Sequence, residues 1–146
     1  MKKIILPIIA AILLFAGCRE KAHIVTNYYT VSADQWYATP DDSQNPDYIY
    51  SSWYNVDITP EVINEGVVLA YFIDEDGRDN LLPYTIYHMD DNGIPYQERI
   101  EYDVEFNQHE GCGMITFKMK ATDFQILQTL NNMGVMLFKV SVISNY

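Results

Sequence analysis

The alternation of apolar and polar residues predicts a chain built mostly of β-strands. Between residues 99 and 106, four apolar residues alternate with charged ones: Ile100, Tyr102, Val104 and Phe106. A period of two is that of a strand with one buried and one solvated face. Residues 66–73 are apolar on both faces, so we place this strand centrally in a sheet.

Other segments rich in β-branched and aromatic residues also predict strands. They cover residues 24–37, 48–56, 81–89, 112–121 and 135–143. Pro83 places one of them at a sheet edge or a bulge, because proline cannot donate to the ladder. Asn92-Gly93 predicts a hairpin with a type I′ turn.

The helical signals are few and short. Thr59 as N-cap, Pro60 at the first helical position and Gly66 as the stop predict a helix of about two turns. Residues 122–133 repeat apolar side chains every three or four positions, and we predict a helix or helical turn there.

These elements together predict an all-β chain. About seven strands separated by turns, with one or two short helices, favour an antiparallel two-sheet β-sandwich, since each sheet must cover an apolar face. A β-barrel is the alternative.

The first seventeen residues have the layout of a signal peptide. Lys2 and Lys3 give a positive start, and an apolar run of 13 residues follows them. A bilayer-spanning helix needs roughly 20 apolar residues, which disfavours a permanent transmembrane anchor. An ordinary secretory signal is the other alternative.

The segment Phe15-Ala16-Gly17-Cys18 resembles the lipobox of bacterial lipoproteins. The resemblance implies cleavage before Cys18 and attachment of acyl chains to its thiol and new N-terminus. Two or three chains anchor a protein stably, whereas one chain alone does not. We therefore expect a signal peptide over residues 1–17, a lipidated tether over 18–23 and a β-sandwich domain over 24–146. We expect the protein in the cell envelope, anchored by lipid to the outer membrane.

Charge restricts the partners. After loss of the signal peptide, seven basic residues face twenty acidic ones, a net charge of −13. Phosphate contacts need Lys and Arg, so we expect no nucleic-acid partner. The acidic surface favours either simple solubility or a cationic partner. No Gly-rich phosphate loop and no nucleophile elbow appear, and we expect no cofactor.

Three groups of residues invite a chemical interpretation. Cys112 would be the one cysteine left after lipidation, so no intramolecular disulfide is expected, and a structural thiol is favoured over a nucleophile. Histidines 23, 88 and 109 lack the short spacing of transition-metal ligands. The acidic turn that contains Asp74, Asp76 and Asp79 is a weak calcium candidate, because Asp and Gly also simply make good turns.

Aromatic residues are the most suggestive feature for function. Six of them cluster in the first third of the chain as a candidate ligand platform: Trp36, Tyr37, Tyr48, Tyr50, Trp53 and Tyr54. Exposed rings beside polar residues would bind sugar rings or a protein partner. The alternative places these rings in the sandwich core.

The order of several motifs resembles a group of small β-sandwich lipoproteins of Gram-negative anaerobes that have no assigned activity. The residues that carry the resemblance are Trp36, Ile58–Ile63, Gly66–Tyr71, Leu81–Thr85 and Phe138–Val140. The resemblance implies a β-sandwich on a cell envelope and carries no catalytic residue.

Three classes of function follow. We expect a membrane-anchored lipoprotein with a non-catalytic binding domain for a glycan or a protein. A structural envelope or fibre-assembly component is the first alternative, and a small glycan-acting hydrolase the second.

Overall fold

The chain forms a two-sheet β-sandwich, as predicted. The structure, a computed structural model, describes residues 22–39, 47–90, 92–121 and 134–145. Its described residues form nine strands: β1 (Ala22–Val31), β2 (Tyr37–Thr39), β3 (Tyr48–Asn55), β4 (Val67–Ile73), β5 (Asp79–Leu81), β6 (Tyr84–Met89), β7 (Pro95–Asn107), β8 (Cys112–Ala121) and β9 (Met136–Asn145). The predicted signal peptide over residues 1–17, Cys18, residues 40–46 and the predicted helix over residues 122–133 lie outside the described residues.

All strand pairs are antiparallel. One sheet has four strands in the order β1-β9-β4-β5, and the other has five in the order β2-β3-β8-β7-β6. The doubly apolar strand β4 lies between β9 and β5, which confirms its predicted central place. Within the described residues, no helix has the length and apolar content that spanning a bilayer requires.

The predicted short helix is confirmed as α1 (Pro60–Glu65). The Thr59 side chain accepts a hydrogen bond from the Val62 amide at 3.3 Å, as an N-cap should. Val62 is buried, so the helix docks on the sandwich through this residue. Ile58, just before α1, packs so closely against β8 that a Cβ on Gly113 would lie 2.2 Å from the Ile58 Cβ.

Two predicted strands are each split in two. The segment over residues 24–37 breaks after Val31 into a short 3-10 helix, where the Ser32 amide donates to Gln35 Oε1 at 2.8 Å. The segment over residues 81–89 breaks at Pro83, because the chain crosses there from β5 in one sheet to β6 in the other. Both β5 and β6 are edge strands, as the proline indicated. Ala22 and His23, expected in the tether, belong to β1.

The predicted hairpin between residues 90 and 93 joins β6 to β7. Gly93 has a φ of 77°, a conformation that glycine adopts without strain. The closing backbone bond runs from Asp90 N to Ile94 O, four residues apart. The connection is therefore one residue longer than the predicted two-residue type I′ turn.

The core lies between the two sheets. Phe117 on β8 and Phe138 on β9 stack with ring centroids 4.0 Å apart, and both are fully buried. Two hydrogen bonds also join the sheets: Asn55 Nδ2 donates to Tyr29 Oη at 2.7 Å, and Tyr102 Oη donates to the Val68 carbonyl at 2.9 Å. Apolar stacking and buried polar bonds thus both hold the sheets in one relative position.

Candidate functional site

Strand β3 sends a row of tyrosines outward from the five-stranded sheet. Ile49, Ser51 and Trp53 face inward opposite β8, so the alternate residues face solvent. The outward residues of β3 are Tyr48, Tyr50, Ser52 and Tyr54. The period of two seen in the sequence is therefore sufficient to assign both faces of this strand.

Three of these rings form one continuous surface, the tyrosine strip, which consists of Tyr37, Tyr48 and Tyr50. Tyr37 on β2 is paired directly across from Tyr50. The ring centroids of Tyr37 and Tyr50 are 5.9 Å apart, and those of Tyr48 and Tyr50 are 6.3 Å apart. Tyr37 is exposed, and the other two rings are half-buried against their neighbours.

Charged and hydroxyl groups border the tyrosine strip on β8 and β7. The Lys118 ammonium lies 5.4 Å from the centre of the Tyr48 ring and forms an ion pair with Asp103. The hydrogen bond that Lys118 donates to the Asp103 carboxylate raises the pKa of Lys118, so this cation is held charged. Beside it, the hydroxyls of Ser52 and Thr116 are 2.9 Å apart. The strip thus combines ring faces with donors and acceptors at its border.

The two tryptophans of the predicted platform do not belong to this surface. Trp36 is 5% exposed and packs edge-on against Phe138 in the core, with its indole Nε1 buried and without a hydrogen-bond partner in the described part of the chain. Trp53 faces inward, contacts the Tyr29 ring and donates to Ser51 Oγ at 3.0 Å. The core interpretation therefore holds for the tryptophans and the surface interpretation for the tyrosines.

A small polar pocket, which sequence reasoning missed, opens at the far end of β3, next to Tyr54. Its volume is about 230 Å³. The lining residues come from β1, from the end of β3 and from the turn that follows: Asn27, Tyr28, Tyr29, Tyr54, Asn55, Val56 and Asp57. Asn27 and Asp57 are 30 positions apart in the chain, so only the packing of the two sheets brings them together.

Hydrogen bonds fix the polar side chains of this pocket. Asn27 Nδ2 donates to Asp57 Oδ2 at 2.9 Å. The Asp57 amide donates to Asn55 Oδ1 at 2.9 Å, and Asn55 Nδ2 donates to Tyr29 Oη. Burial raises the pKa of Tyr29, the bond from Asn55 lowers it, and the Asp57 carboxylate raises it again. The pocket therefore has a preformed polar floor, between the exposed rings of Tyr28 and Tyr54.

A second concavity lies between α1 and β7, with a volume of about 390 Å³. Its lining combines aliphatic side chains, including Val62, Val68 and Val104, with polar surface. Its one carboxylate, Asp103, is already paired with Lys118, so this concavity offers a ligand no unpaired carboxylate.

The candidate calcium turn is explained by hydrogen bonds within the chain. Asp74 Oδ1 accepts from the amides of Asp76 and Arg78 at 3.1 and 2.8 Å, and the bond from Arg78 is the main reason that the pKa of Asp74 is lowered. Asp76 pairs with Arg78, and Asp79 pairs with Lys139. Among the described residues, no group of three or more His, Cys, Asp or Glu side chains could hold a metal ion.

The remaining candidates are dispersed. Cys112 is a half-buried free thiol at the start of β8. His109 is exposed in the turn before it. His88 Nε2 lies 3.1 Å from Glu98 Oε2, and its ring stacks on Tyr96 with centroids 5.1 Å apart. Glu98 is 6% exposed, so this is a mostly buried polar pair.

The four-stranded sheet has a different outer surface, the apolar face. It is formed by nine apolar or aromatic residues: Ile24, Tyr28, Val67, Leu69, Tyr71, Ile73, Leu81, Leu137 and Ile143. The charged side chains among its described strand residues are Lys139 and Asp79, which pair with each other. Lys139 also lies 4.5 Å from the centre of the Tyr71 ring.

Comparisons of this chain with protein-family models, with curated proteins and with solved structures gave no significant match. The functional argument therefore depends on the geometry of the chain itself.

Proposed function

We propose that this chain is a lipid-anchored cell-envelope protein whose β-sandwich is a non-catalytic glycan-binding domain, with the tyrosine strip as its binding platform. The observation that supports this most directly is the contiguity of Tyr37, Tyr48 and Tyr50 on an outward-facing surface. Aromatic rings supply a large contact area at low cost in conformational entropy.

The border of the strip favours a sugar over a purely apolar ligand. Ring faces pack against the C–H faces of sugars, while Lys118, Asp103 and Ser52 offer donors and acceptors for hydroxyl groups. The net charge of −13 that is expected after loss of the signal peptide would repel an anionic polymer. We therefore propose that the ligand is an uncharged glycan.

A direct test is a binding screen of the full lipidated chain, held in lipid nanodiscs, against an array of neutral oligosaccharides. We expect at least one to bind, and Tyr50→Ala to weaken it about tenfold or more, because Tyr50 contacts both other rings. Tyr87→Ala is the matched control, since Tyr87 is 74% exposed on β6 of the same sheet. Absence of any glycan ligand, or equal losses in both variants, would contradict the proposal.

The anchoring part of the proposal is supported by the place where β1 begins. Four residues lead from Cys18 to Ala22, so the tether reaches at most about 14 Å. At that end of β1, Ile24 lies across from Ile143, which lies across from Val67. This row supports an orientation in which the least charged surface of an acidic domain would lie beside the lipid, with the tyrosine strip on the opposite sheet. We propose that the apolar face lies against the bilayer.

Two measurements test the anchor. A fatty-acid analogue should label the wild-type chain in cells but not Cys18→Ala, and equal labelling would refute acylation at this residue.

With Cys112 replaced by Ser, an environment-sensitive dye on Val67→Cys should be quenched by nitroxide lipids, while the same dye on Ser52→Cys should not. Equal quenching at both positions would contradict the proposed orientation, and quenching that depends on protein density would indicate a second copy on this face.

Strand β1 favours the fibre-assembly alternative. It is a ten-residue edge strand with no proline or charged side chain other than His23, and among the described strands it pairs only with β9. Long uncharged edges are templates for another strand. If copies assemble through this edge, Thr30→Lys should abolish wild-type filaments seen by electron microscopy. A wild-type chain that stays monomeric at high concentration would end this alternative.

A further inference from the structure

We infer that the polar pocket between β1 and the end of β3 binds a single sugar ring, as the terminal residue of a glycan that lies along the tyrosine strip. The inference rests on the proposed glycan-binding function for its ligand class. It adds a second site, with different residues and a different selectivity.

The size of the pocket limits the ligand. Pockets for drug-sized ligands have about 300–1,000 Å³. A volume of about 230 Å³ is smaller and suits one ring rather than a chain. The pocket therefore selects an end of a glycan, where a single residue is free to enter.

The polar floor offers acceptors and a donor in fixed positions. Asp57 uses Oδ2 for the bond from Asn27, and within the described chain its Oδ1 has no hydrogen bond. The Tyr29 hydroxyl accepts from Asn55, so its own hydrogen is available to a ligand. Adjacent hydroxyls of a sugar, which both donate and accept, match this set.

The pocket walls supply the apolar contact that a sugar ring needs. Tyr54 is 58% exposed on the outer side of the five-stranded sheet, whereas Tyr28, which is 70% exposed, belongs to the apolar face on the other side of the sandwich. A sugar ring that stacks on Tyr54 would therefore reach the floor at Asp57 from the side of the tyrosine strip.

The position of the pocket connects it to the tyrosine strip. Tyr54 is on the same outward face of β3 as Tyr48 and Tyr50. Residues four apart on a strand are separated by about 13 Å, so only Ser52 on β3 lies between Tyr50 and Tyr54 on that face. A short oligosaccharide that follows β3 therefore reaches from the strip to the pocket.

The test uses the full lipidated chain in nanodiscs and saturation-transfer NMR with galactose, mannose and N-acetylglucosamine as probes. We expect millimolar binding of at least one probe, as the small contact area implies. Asp57→Asn should weaken it about tenfold, because it removes the charged acceptor. Asp34→Asn, an exposed carboxylate on the 3-10 helix, is the matched control and should bind as wild type.

A second variant keeps the test decisive if Asp57→Asn unfolds the chain. Val56 is 78% exposed at the pocket, so Val56→Trp should obstruct it without touching the polar floor. No probe signal in the wild type, or an unchanged signal in Val56→Trp, overturns the inference. Oligosaccharide binding that is lost in Tyr50→Ala but unaffected in both pocket variants would support the tyrosine strip as a binding site and exclude the pocket. Oligosaccharide binding that is lost in both pocket variants but unaffected in Tyr50→Ala would support the pocket and exclude the tyrosine strip.

Discussion

The two sheets share one core but present opposite outer surfaces. The outer side of the five-stranded sheet carries tyrosines with a network of charges, in which Glu101 pairs with both Arg99 and Lys120 at 2.6 and 3.4 Å. Among the described residues, the apolar face of the four-stranded sheet has one ion pair, between Lys139 and Asp79. The outer side of the five-stranded sheet is suited to a hydrated ligand, and the apolar face is suited to an environment with little water.

The contrast is sharper because both surfaces contain the same small motif. On each, a lysine pairs with an aspartate and lies over a tyrosine ring: Lys118 with Asp103 and Tyr48, and Lys139 with Asp79 and Tyr71. What differs is the surroundings of the motif. Further charged side chains surround the first motif, whereas tyrosines, aliphatic side chains and hydroxyl groups surround the second.

Truncation of one inner and one outer residue of β9 tests the contrast most strongly. Phe138 stacks on Phe117 in the core, so Phe138→Ala should cost about 3–5 kcal/mol of the free energy of unfolding. Leu137, its neighbour on the apolar face, is 42% exposed, and Leu137→Ala should cost about 1 kcal/mol or less. Urea titration followed by circular dichroism measures both values.

A large decrease in the free energy of unfolding for Leu137→Ala would contradict this contrast, because it would show that the apolar face is covered in solution. Repeating the titration at several protein concentrations separates the causes. A concentration-dependent midpoint indicates that a second copy covers the face.

Much of this fold could be predicted because the strands alternate cleanly. The period of two over residues 99–106 assigned both faces of β7, and Thr59, Pro60 and Gly66 located α1. The sequence predicted an edge or a bulge at Pro83 but not that the chain changes sheets there. It placed residues 32–35 in one bent strand, because residues typical of strands lie on both sides of them. Only the pairing of β5 and β6 with different sheets reveals the break at Pro83.

The candidate site was predictable only in part, for a related reason. Alternation separated Trp53 from Tyr54, but burial of Trp36 depends on contact with Phe138, about a hundred residues away. The pocket left no local signal, because Asn27 and Asp57 meet only across the two sheets. Sequence patterns identify the face on which a residue lies, whereas tertiary packing decides which residues of two faces meet.

Alkaline pH tests the polar bonds that join the sheets. Burial raises the pKa of Tyr29 and of Tyr102 above the ordinary 10.0, so the folded chain favours their protonated forms. Their contribution to stability is complete below pH 10 and is lost as the pH rises through the raised values. Lys118 and Lys139, whose pKa values their aspartate partners raise above 10.5, act in the same direction. We expect the melting temperature to fall steadily above pH 10.

The variant Tyr29→Phe isolates one part of this effect. It should cost about 1–3 kcal/mol at neutral pH, because Asn55 Nδ2 loses its buried partner. It should also lose less stability between pH 8 and 11 than the wild type does. Tyr54→Phe, an exposed ring on the outer side of β3, should leave the free energy of unfolding at neutral pH unchanged. Equal alkaline losses in the wild type and Tyr29→Phe would rule out Tyr29 as a source of the pH dependence.

The smallest expected effect distinguishes the two lysine motifs. In Asp103→Asn, Lys118 keeps a carboxylate across the ladder, because Glu101 lies directly opposite it on β7. In Asp79→Asn, no carboxylate lies directly opposite Lys139 in the described ladder, where its partners are Tyr28 on β1 and Tyr71 on β4. We therefore expect Asp79→Asn to lower the melting temperature more than Asp103→Asn does. Added salt should reduce the loss in both variants, since exposed ion pairs are screened. Equal or reversed losses of melting temperature at low salt would mean that the two lysines have similar electrostatic surroundings. The two sheets would then differ in side-chain composition but not in electrostatic environment.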